Sequence, residues 1–213
     1  KLRRNPEPVL QNIVREYGPL KRYAIDQSRY DSIVDDSYRV VLEGAQGFSM
    51  SLIQGFYPYV TSRECTTHQM LSDCALPADD TKYDRTVYGV CRTFPIRVAN
   101  RYDGSGAMIG TSGPCYDDQR EMTWDEVGQE PELTTVTKLP RRVFSFSEKQ
   151  IARAVRANGV NSVFLNFCNY AAPEAVDRLV STISRYAPVH YLGYGPAEKD
   201  IDTHAFYRHF EGV

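Results

Sequence analysis

No stretch of this 213-residue sequence approaches the roughly 20 consecutive apolar residues that a membrane-spanning helix needs, and no signal peptide opens it. Basic charge is not in excess either: 25 Lys and Arg stand against 27 Asp and Glu, a formal net charge of −2. Such a chain has no basic field for tracking duplex phosphates, so nucleic-acid binding is disfavoured and phosphate recognition must be local. Cysteine is sparse and dispersed, at Cys65, Cys74, Cys91, Cys115 and Cys168. An odd number with no CxxC pair and no Cys/His ligand spacing argues against zinc and against a disulfide framework. The thiols are read as reduced, in a cytoplasmic protein. Tryptophan occurs once, at Trp124, and is read as a packing anchor.

What is present is globular: 42% hydrophobic and 24% charged residues, enough for one sizeable domain over residues 1–213. The chain opens at Lys1 rather than a methionine, and is expected to be part of a longer polypeptide. Asn5 as cap, Pro6 at the first helical position and the stop Gly18-Pro19 predict a helix over Pro6–Tyr17. Its apolar face is Val9, Leu10, Ile13 and Val14. Asp31–Ser37 is expected to form a helical turn, and Val40–Leu42 the end of a buried strand. Met70, Leu71 and Cys74 give one helical face, and Thr86–Val98 is strand-like but broken by Pro95. Glycine-rich Asn100–Pro114 reads as a flexible loop. Thr123 with Glu126 and Ser147 with Gln150 are capping boxes that open helices, the second ending at Gly159. Ser162–Phe167 is a nearly continuous apolar run of the kind buried in parallel sheets. Pro173–Arg185 and Val189–Leu192 continue a helix–strand alternation that predicts α/β architecture.

Three stretches carry chemistry. In the first, EGAQGFSMSLIQGFYPYVTSR from Glu43 to Arg63, Gln46 sits between Gly44 and Gly47, so its amide can project from a turn with donor and acceptor both available. Thr61 and Ser62 follow the stiff Tyr57-Pro58-Tyr59 and suit phosphate oxygens or backbone amides. In the second, LTTVTKLPRRVFSF from Leu133 to Phe146, threonine hydroxyls stand beside lysine and arginine. A dicarboxylate needs that combination, since arginine meets carboxylate bidentately. The third is the strand end Leu165-Asn166-Phe167-Cys168-Asn169, followed by the turn Gly193-Tyr194-Gly195-Pro196. Read alone, each stretch could equally be a polar turn or a solvated basic strand.

EGAQG followed by YPYVTSR resembles the adenylosuccinate synthetase family, and EGAQGFS, FYPY, TSR and TTVTK…RRVFSFS resemble its phage branch most. The resemblance implies a P-loop-NTPase-like α/β fold, a mostly parallel sheet flanked by helices, of which this chain is the C-terminal portion. It implies ATP-driven ligation of L-aspartate to the 6-position of dGMP, giving 2-amino-2'-deoxyadenylosuccinate for diaminopurine DNA. Adenylosuccinate synthesis on IMP and a non-catalytic nucleotide-binding module are the alternatives. Gln46 is implied as the catalytic donor beside the purine 6-oxygen, with Thr61 and Val98 completing the acceptor nucleotide's contacts. Arg97, which precedes Val98, is read as a surface or ion-pair residue.

The aspartate loop falls on Thr134, Thr135, Val136, Thr137 and Lys138. Here the text departs from the commoner form, with Val136-Thr137 in place of Gly-Arg; Arg142 is favoured as the clamp over Arg141. Relatives that use GTP carry Lys-x-Asp where this chain has Phe167-Cys168-Asn169. A carboxylate accepts from guanine N1 and N2, whereas an amide both donates and accepts, which suits adenine. ATP contacts are thus expected at Asn166, Asn169, Gly195 and Pro196. No glycine-rich phosphate loop followed by lysine occurs. The resemblance puts that loop, the Mg2+ ligands and the catalytic histidine in an N-terminal portion, so residues 1–213 alone are expected to bind weakly without turnover. It also implies a homodimer and, for a phage-encoded enzyme, the host cytoplasm.

Overall fold

A computed structural model describes residues 7–78 and 84–203; Asn5, Pro6 and the histidines at 204 and 209 lie outside the described residues. The chain divides into two compact units, Lys1–Glu43 and Gly44–Val213.

In the first unit, helix α1 spans Glu7–Tyr17, a 3-10 turn follows over Gly18–Tyr23, and helix α2 spans Gln27–Asp36. The second helix starts earlier than the expected turn because Asp26 caps it, its carboxylate accepting from the Arg29 N–H at 2.8 Å. The strand expected over Val40–Leu42 does not form: this segment is irregular, and Val41 is 79% exposed. Among the described residues of this unit no strand lies beside the triplet to complete its backbone hydrogen bonds.

The second unit is built on a four-stranded sheet in the order β1-β7-β8-β9. Strands β1 (Tyr88–Arg92), β7 (Ser162–Asn166) and β8 (Val189–Gly193) are parallel, and β9 (Ile201–Asp202) is antiparallel. Helices α5 (Glu148–Asn158) and α6 (Pro173–Ser184) connect the parallel strands. Ile151, Val155, Val176, Val180 and Ile183 from those helices share one core with Val163, Leu165, Val189 and Leu192. Ser147 caps α5, its hydroxyl accepting from the Gln150 N–H at 2.9 Å, and Gly159 closes it at φ 60°. The alternate residues Tyr88, Phe164 and Tyr191 face away from that core. With Glu198, Ile201 and Thr203 they line a cavity of about 500 Å³.

Pro95 splits the expected strand Thr86–Val98 between two sheets. Beyond it, β2 (Ile96–Arg97) pairs antiparallel with β6 (Arg142–Phe144), which pairs with β5 (Glu121–Met122). Helix α4 (Trp124–Val127) lies between β5 and β6 in the chain, with both halves of its Thr123–Glu126 capping box formed. Trp124 is 8% exposed and donates its indole N–H to the Arg141 carbonyl at 2.7 Å, so it anchors β6 as expected. Part of the glycine-rich segment is ordered: β3 (Arg101–Tyr102) and β4 (Met108–Gly110) form a hairpin. The Asp103 carboxylate closes its turn by accepting from Ser105 and Ala107 N–H groups. Helix α3 (Thr67–Asp73) follows the Gln46 segment, capped by Thr66.

Candidate active site

The parallel strands end together. Arg92 closes β1 and is paired in register with Asn166 at the end of β7, and β8 ends alongside at Gly193. Open α/β sheets bind ligands at this carboxyl edge. The chain turns sharply after Asn166, and the turn is tied from both sides. Asn166 Oδ1 accepts from the Phe167 N–H at 2.9 Å. The Phe167 carbonyl accepts from the hydroxyl of buried Thr93 at 2.8 Å. Phe167 is held at φ 60°, a conformation that costs a bulky side chain on the order of 1 kcal/mol and marks an over-determined turn. The 3-10 turn Cys168–Tyr170 then presents Asn169 to solvent. Across the edge, the Asp200 carboxylate accepts from the Ala197 N–H at 3.0 Å and fills the space beside Gly195, leaving Pro196 exposed. The four residues expected to frame a nucleotide base therefore lie on two adjacent strand ends.

The expected aspartate loop is a closed tongue, bridged at its base from Leu133 to Pro140. Thr134 is its internal brace. It is 8% exposed, its N–H donates to the Leu139 carbonyl at 2.9 Å, and its hydroxyl accepts from the Leu139 N–H and meets the Thr137 hydroxyl. Lys138 takes φ 55° to turn the corner. Thr135, Val136, Thr137 and Lys138 are exposed at the tip. Of the hydroxyls expected to meet ligand, that of Thr134 is thus committed to the loop itself.

Arg142 is also committed. It sits on β6 and makes a bidentate pair with Glu121 at 2.7 and 2.6 Å, while Nη1 donates to the Gly113 carbonyl at 2.7 Å and the Ser112 hydroxyl at 3.0 Å. The Glu121 hydrogen bond is the chief reason its pKa lies above the usual arginine value. Arg141, one residue closer to the tongue, is half-buried, and its N–H donates to the Glu132 carbonyl at 2.7 Å.

Arg97, expected as a surface or ion-pair residue, is half-buried. It donates to the Pro114 carbonyl at 3.0 Å and the Tyr59 carbonyl at 3.1 Å, fastening the glycine-rich segment to the Tyr57–Tyr59 loop. Burial, and then the neighbouring Arg142 guanidinium, hold its pKa below the usual arginine value. Gly113 lies under the same loop at φ 97°, where a β-carbon would meet the Tyr59 side chain at 2.6 Å. Val98 follows at 46% exposure. No local pattern marks Arg97 for this role; its partners are 17 and 38 residues away.

Gln46 itself takes φ 68° between Gly44 and Gly47, and its side chain is exposed. Its amide oxygen lies 3.8 Å from the Cys65 thiol, and the Cys65 backbone N–H donates to the hydroxyl of buried Ser51 at 3.0 Å. Desolvation raises the Cys65 pKa, away from the range of reactive thiolates. Thr61 is half-buried, and its N–H donates to the Met50 carbonyl at 2.8 Å. Among the described residues no three His, Cys, Asp or Glu side chains gather to hold a metal ion. Among them, too, no helix is long and apolar enough to cross a membrane.

The adenylosuccinate synthetase family model matches residues 3–173. The chain is 45% identical to the N6-succino-2-amino-2'-deoxyadenylate synthase of Salmonella phage PMBT28, over 95% of this chain and 60% of that protein. It is 50% identical to the synthase of the same name from Acinetobacter phage SH-Ab 15497, over 82% of this chain and 45% of the relative. A solved structure of the cyanophage S-2L succinoaminodeoxyadenylate synthetase (PurZ), bound to dGMP and dATP as an energy donor, superposes with a TM-score of 0.79. Identity there is 40%, covering 89% of this chain and 53% of that one. Adenylosuccinate synthetase from Plasmodium falciparum shares the fold at a TM-score of 0.69 and 19% identity. The chain spans 45–60% of the length of these phage synthases. On the extent of the family match and on these identities, the chain belongs to the adenylosuccinate synthetase family.

Proposed function

We propose that this chain supplies the aspartate- and triphosphate-binding part of a ligase that joins L-aspartate to the 6-position of dGMP with ATP, giving 2-amino-2'-deoxyadenylosuccinate. The observation that carries the reading is the exposed amide of Asn169 on a rigid turn at the carboxyl edge of the parallel sheet. An amide there can donate to and accept from adenine, whereas guanine asks for a double acceptor. The phage synthases similar to this chain support dGMP as the acceptor.

The chemistry runs in two steps. ATP phosphorylates the purine 6-oxygen, and the aspartate amine then displaces that phosphate. The Gln46 amide donates toward the 6-oxygen as charge develops on it. Thr61 and the Val98 backbone hold the acceptor's phosphate and ribose. Thr135, Val136, Thr137 and Lys138 receive aspartate at the tip of a loop that Thr134 braces. Arg141 is the better clamp of the two arginines, since the Arg142 guanidinium is already engaged by Glu121. Asn166, Asn169, Gly195 and Pro196 frame the base of ATP. Mg2+, when bound, neutralises charge on the phosphates. The phosphate loop, the metal ligands and the catalytic histidine belong to the part of the synthases that this chain does not span, and the working assembly is a homodimer.

The test is a single-turnover assay of the full-length protein carrying this sequence, with ATP, magnesium and aspartate and with dGMP or IMP as acceptor, read by mass. A succinylated product from dGMP is expected. Product from IMP alone overturns the acceptor, and product from neither overturns the ligase reading.

A further inference from the structure

We propose that Arg92 and Glu132 form a positioning couple that links the two ligand subsites, so that seating a nucleotide base on the turn after β7 sets the loop that takes aspartate. This rests on the subsite assignment made under Proposed function.

The couple joins elements far apart in the chain. Arg92 ends β1, and its guanidinium carbon lies over the Phe167 ring, 3.5 Å from the centroid, at the turn between Asn166 and Asn169. The same guanidinium forms a two-pronged pair with the Glu132 carboxylate, Nη1 donating to Oε2 at 3.3 Å and Nη2 donating to Oε1. Tyr170, at the far end of the turn, donates its hydroxyl to that carboxylate at 3.4 Å. Glu132 is the residue before the tongue, and its backbone carbonyl accepts from the Arg141 N–H at 2.7 Å where the tongue returns. One carboxylate thus reads the position of the turn through Arg92 and Tyr170, and its backbone fixes the root of the tongue and the arginine that follows it.

Stability alone does not account for the arrangement. The two side chains are 20% and 25% exposed, and an ion pair buried to that degree gains little over apolar side chains of equal volume. Its geometry is directional, however, because a fork-shaped guanidinium tolerates little sliding against a carboxylate. Arg92 Nε is buried with no hydrogen-bond partner. A buried orphan donor is a cost that a shift of the turn or the tongue can relieve. Phe167, held at φ 60°, packs its ring against that guanidinium.

The experiment is amide hydrogen exchange on the full-length protein, with and without ATP and magnesium, in wild type, Glu132→Gln, Arg92→Met and Arg92→Lys. ATP should slow exchange several-fold in wild type both at residues 166–171 and at residues 133–142. Glu132→Gln and Arg92→Met should keep the first protection and lose the second, and Arg92→Lys, which keeps the charge, should restore part of it. The KM for aspartate should rise about three- to tenfold in the uncoupled variants with kcat little changed. Unaltered exchange in the β7–β8 ladder certifies that each variant is folded, and Arg92→Lys serves if Arg92→Met is not. Protection of both segments in Glu132→Gln, or of the turn alone in wild type, overturns the couple and leaves the base subsite standing. Protection of neither segment in wild type overturns the subsite assignment and the couple with it.

Discussion

The amide oxygen of Asn166 occupies the space that a side chain on Gly193 would need: a β-carbon at Gly193 would lie 2.4 Å from it. Two parallel strands are thereby brought close at the edge where the site is built. The oxygen cannot retreat freely, because it accepts from the Phe167 N–H at 2.9 Å and so holds the turn. Gly193→Ala is expected to lower unfolding free energy by about 1–3 kcal/mol, the usual range for overpacking. In an Asn166→Ala background the further loss from Gly193→Ala should be smaller, since the oxygen at 2.4 Å is gone and only the Phe164 ring at 2.9 Å still crowds the added carbon. Chemical denaturation of the two single variants and the double gives the coupling directly.

Arg141 and Arg142 are adjacent in sequence and differ in what they hold. Arg142 is fastened to Glu121, Gly113 and Ser112. Arg142→Ala should therefore cost about 1 kcal/mol of stability, near the upper end for a partly exposed pair. Arg141→Ala leaves those contacts in place. It is expected to spare the melting temperature and to raise the KM for aspartate at least about tenfold, as loss of a charge-assisted hydrogen bond does. Steady-state kinetics of the full-length protein, set beside thermal melts, separates the two. A larger aspartate effect at Arg142 with stability unchanged would reverse the assignment.

The legible parts of the fold were those governed by neighbouring residues. Thr123 with Glu126, Ser147 with Gly159, and the apolar run from Ser162 gave α4, α5 and β7 nearly to the residue. The failures share a cause. Val40–Leu42 has strand composition but no strand partner among the described residues of its unit, and Asn100–Pro114 has loop composition but forms a hairpin over residues 101–110, turned around Asp103. In the site, residue types were legible while commitments were not. Thr134 braces the loop from inside, Arg142 belongs to Glu121, and Arg97 serves two distant carbonyls. Arg92 and Glu132 gave no local signal, because their meaning depends on β1 lying in register beside β7.

The thiols of Cys91 and Cys168 should respond to pH in a defined direction. Burial, and next the neighbouring Cys168, push Cys91 up to about 12 from a usual 9.0, and burial pushes Cys168 up to about 11. The unfolded chain sheds the Cys91 proton near 9, so between 9 and 12 it binds fewer protons than the folded chain. Stability contributed by this thiol is intact below pH 9 and falls as pH rises toward 12. Cys91→Ala should flatten that alkaline decline, measured as denaturation midpoints against pH. At pH 8 alkylation should reach buried Cys168 only when the protein unfolds, which peptide mapping checks.

Nucleotide choice is the sharpest test of the turn after β7. Asn169 is exposed on a three-residue turn whose first residue, Cys168, is buried, so its side chain is replaceable without disturbing the core. Asn169→Asp exchanges a mixed donor and acceptor for a double acceptor at one position. Guanine N1 and N2 both donate and would gain a partner, whereas adenine would lose a donor. The expected outcome is a shift of at least about tenfold in relative affinity from ATP toward GTP, the size of one or two charge-assisted hydrogen bonds. Calorimetric titration of both nucleotides into wild type and Asn169→Asp measures it, with melting temperatures confirming that the turn is intact. An unchanged preference in a folded variant would move base recognition away from Asn169 and toward the Gly195-Pro196 side of the edge.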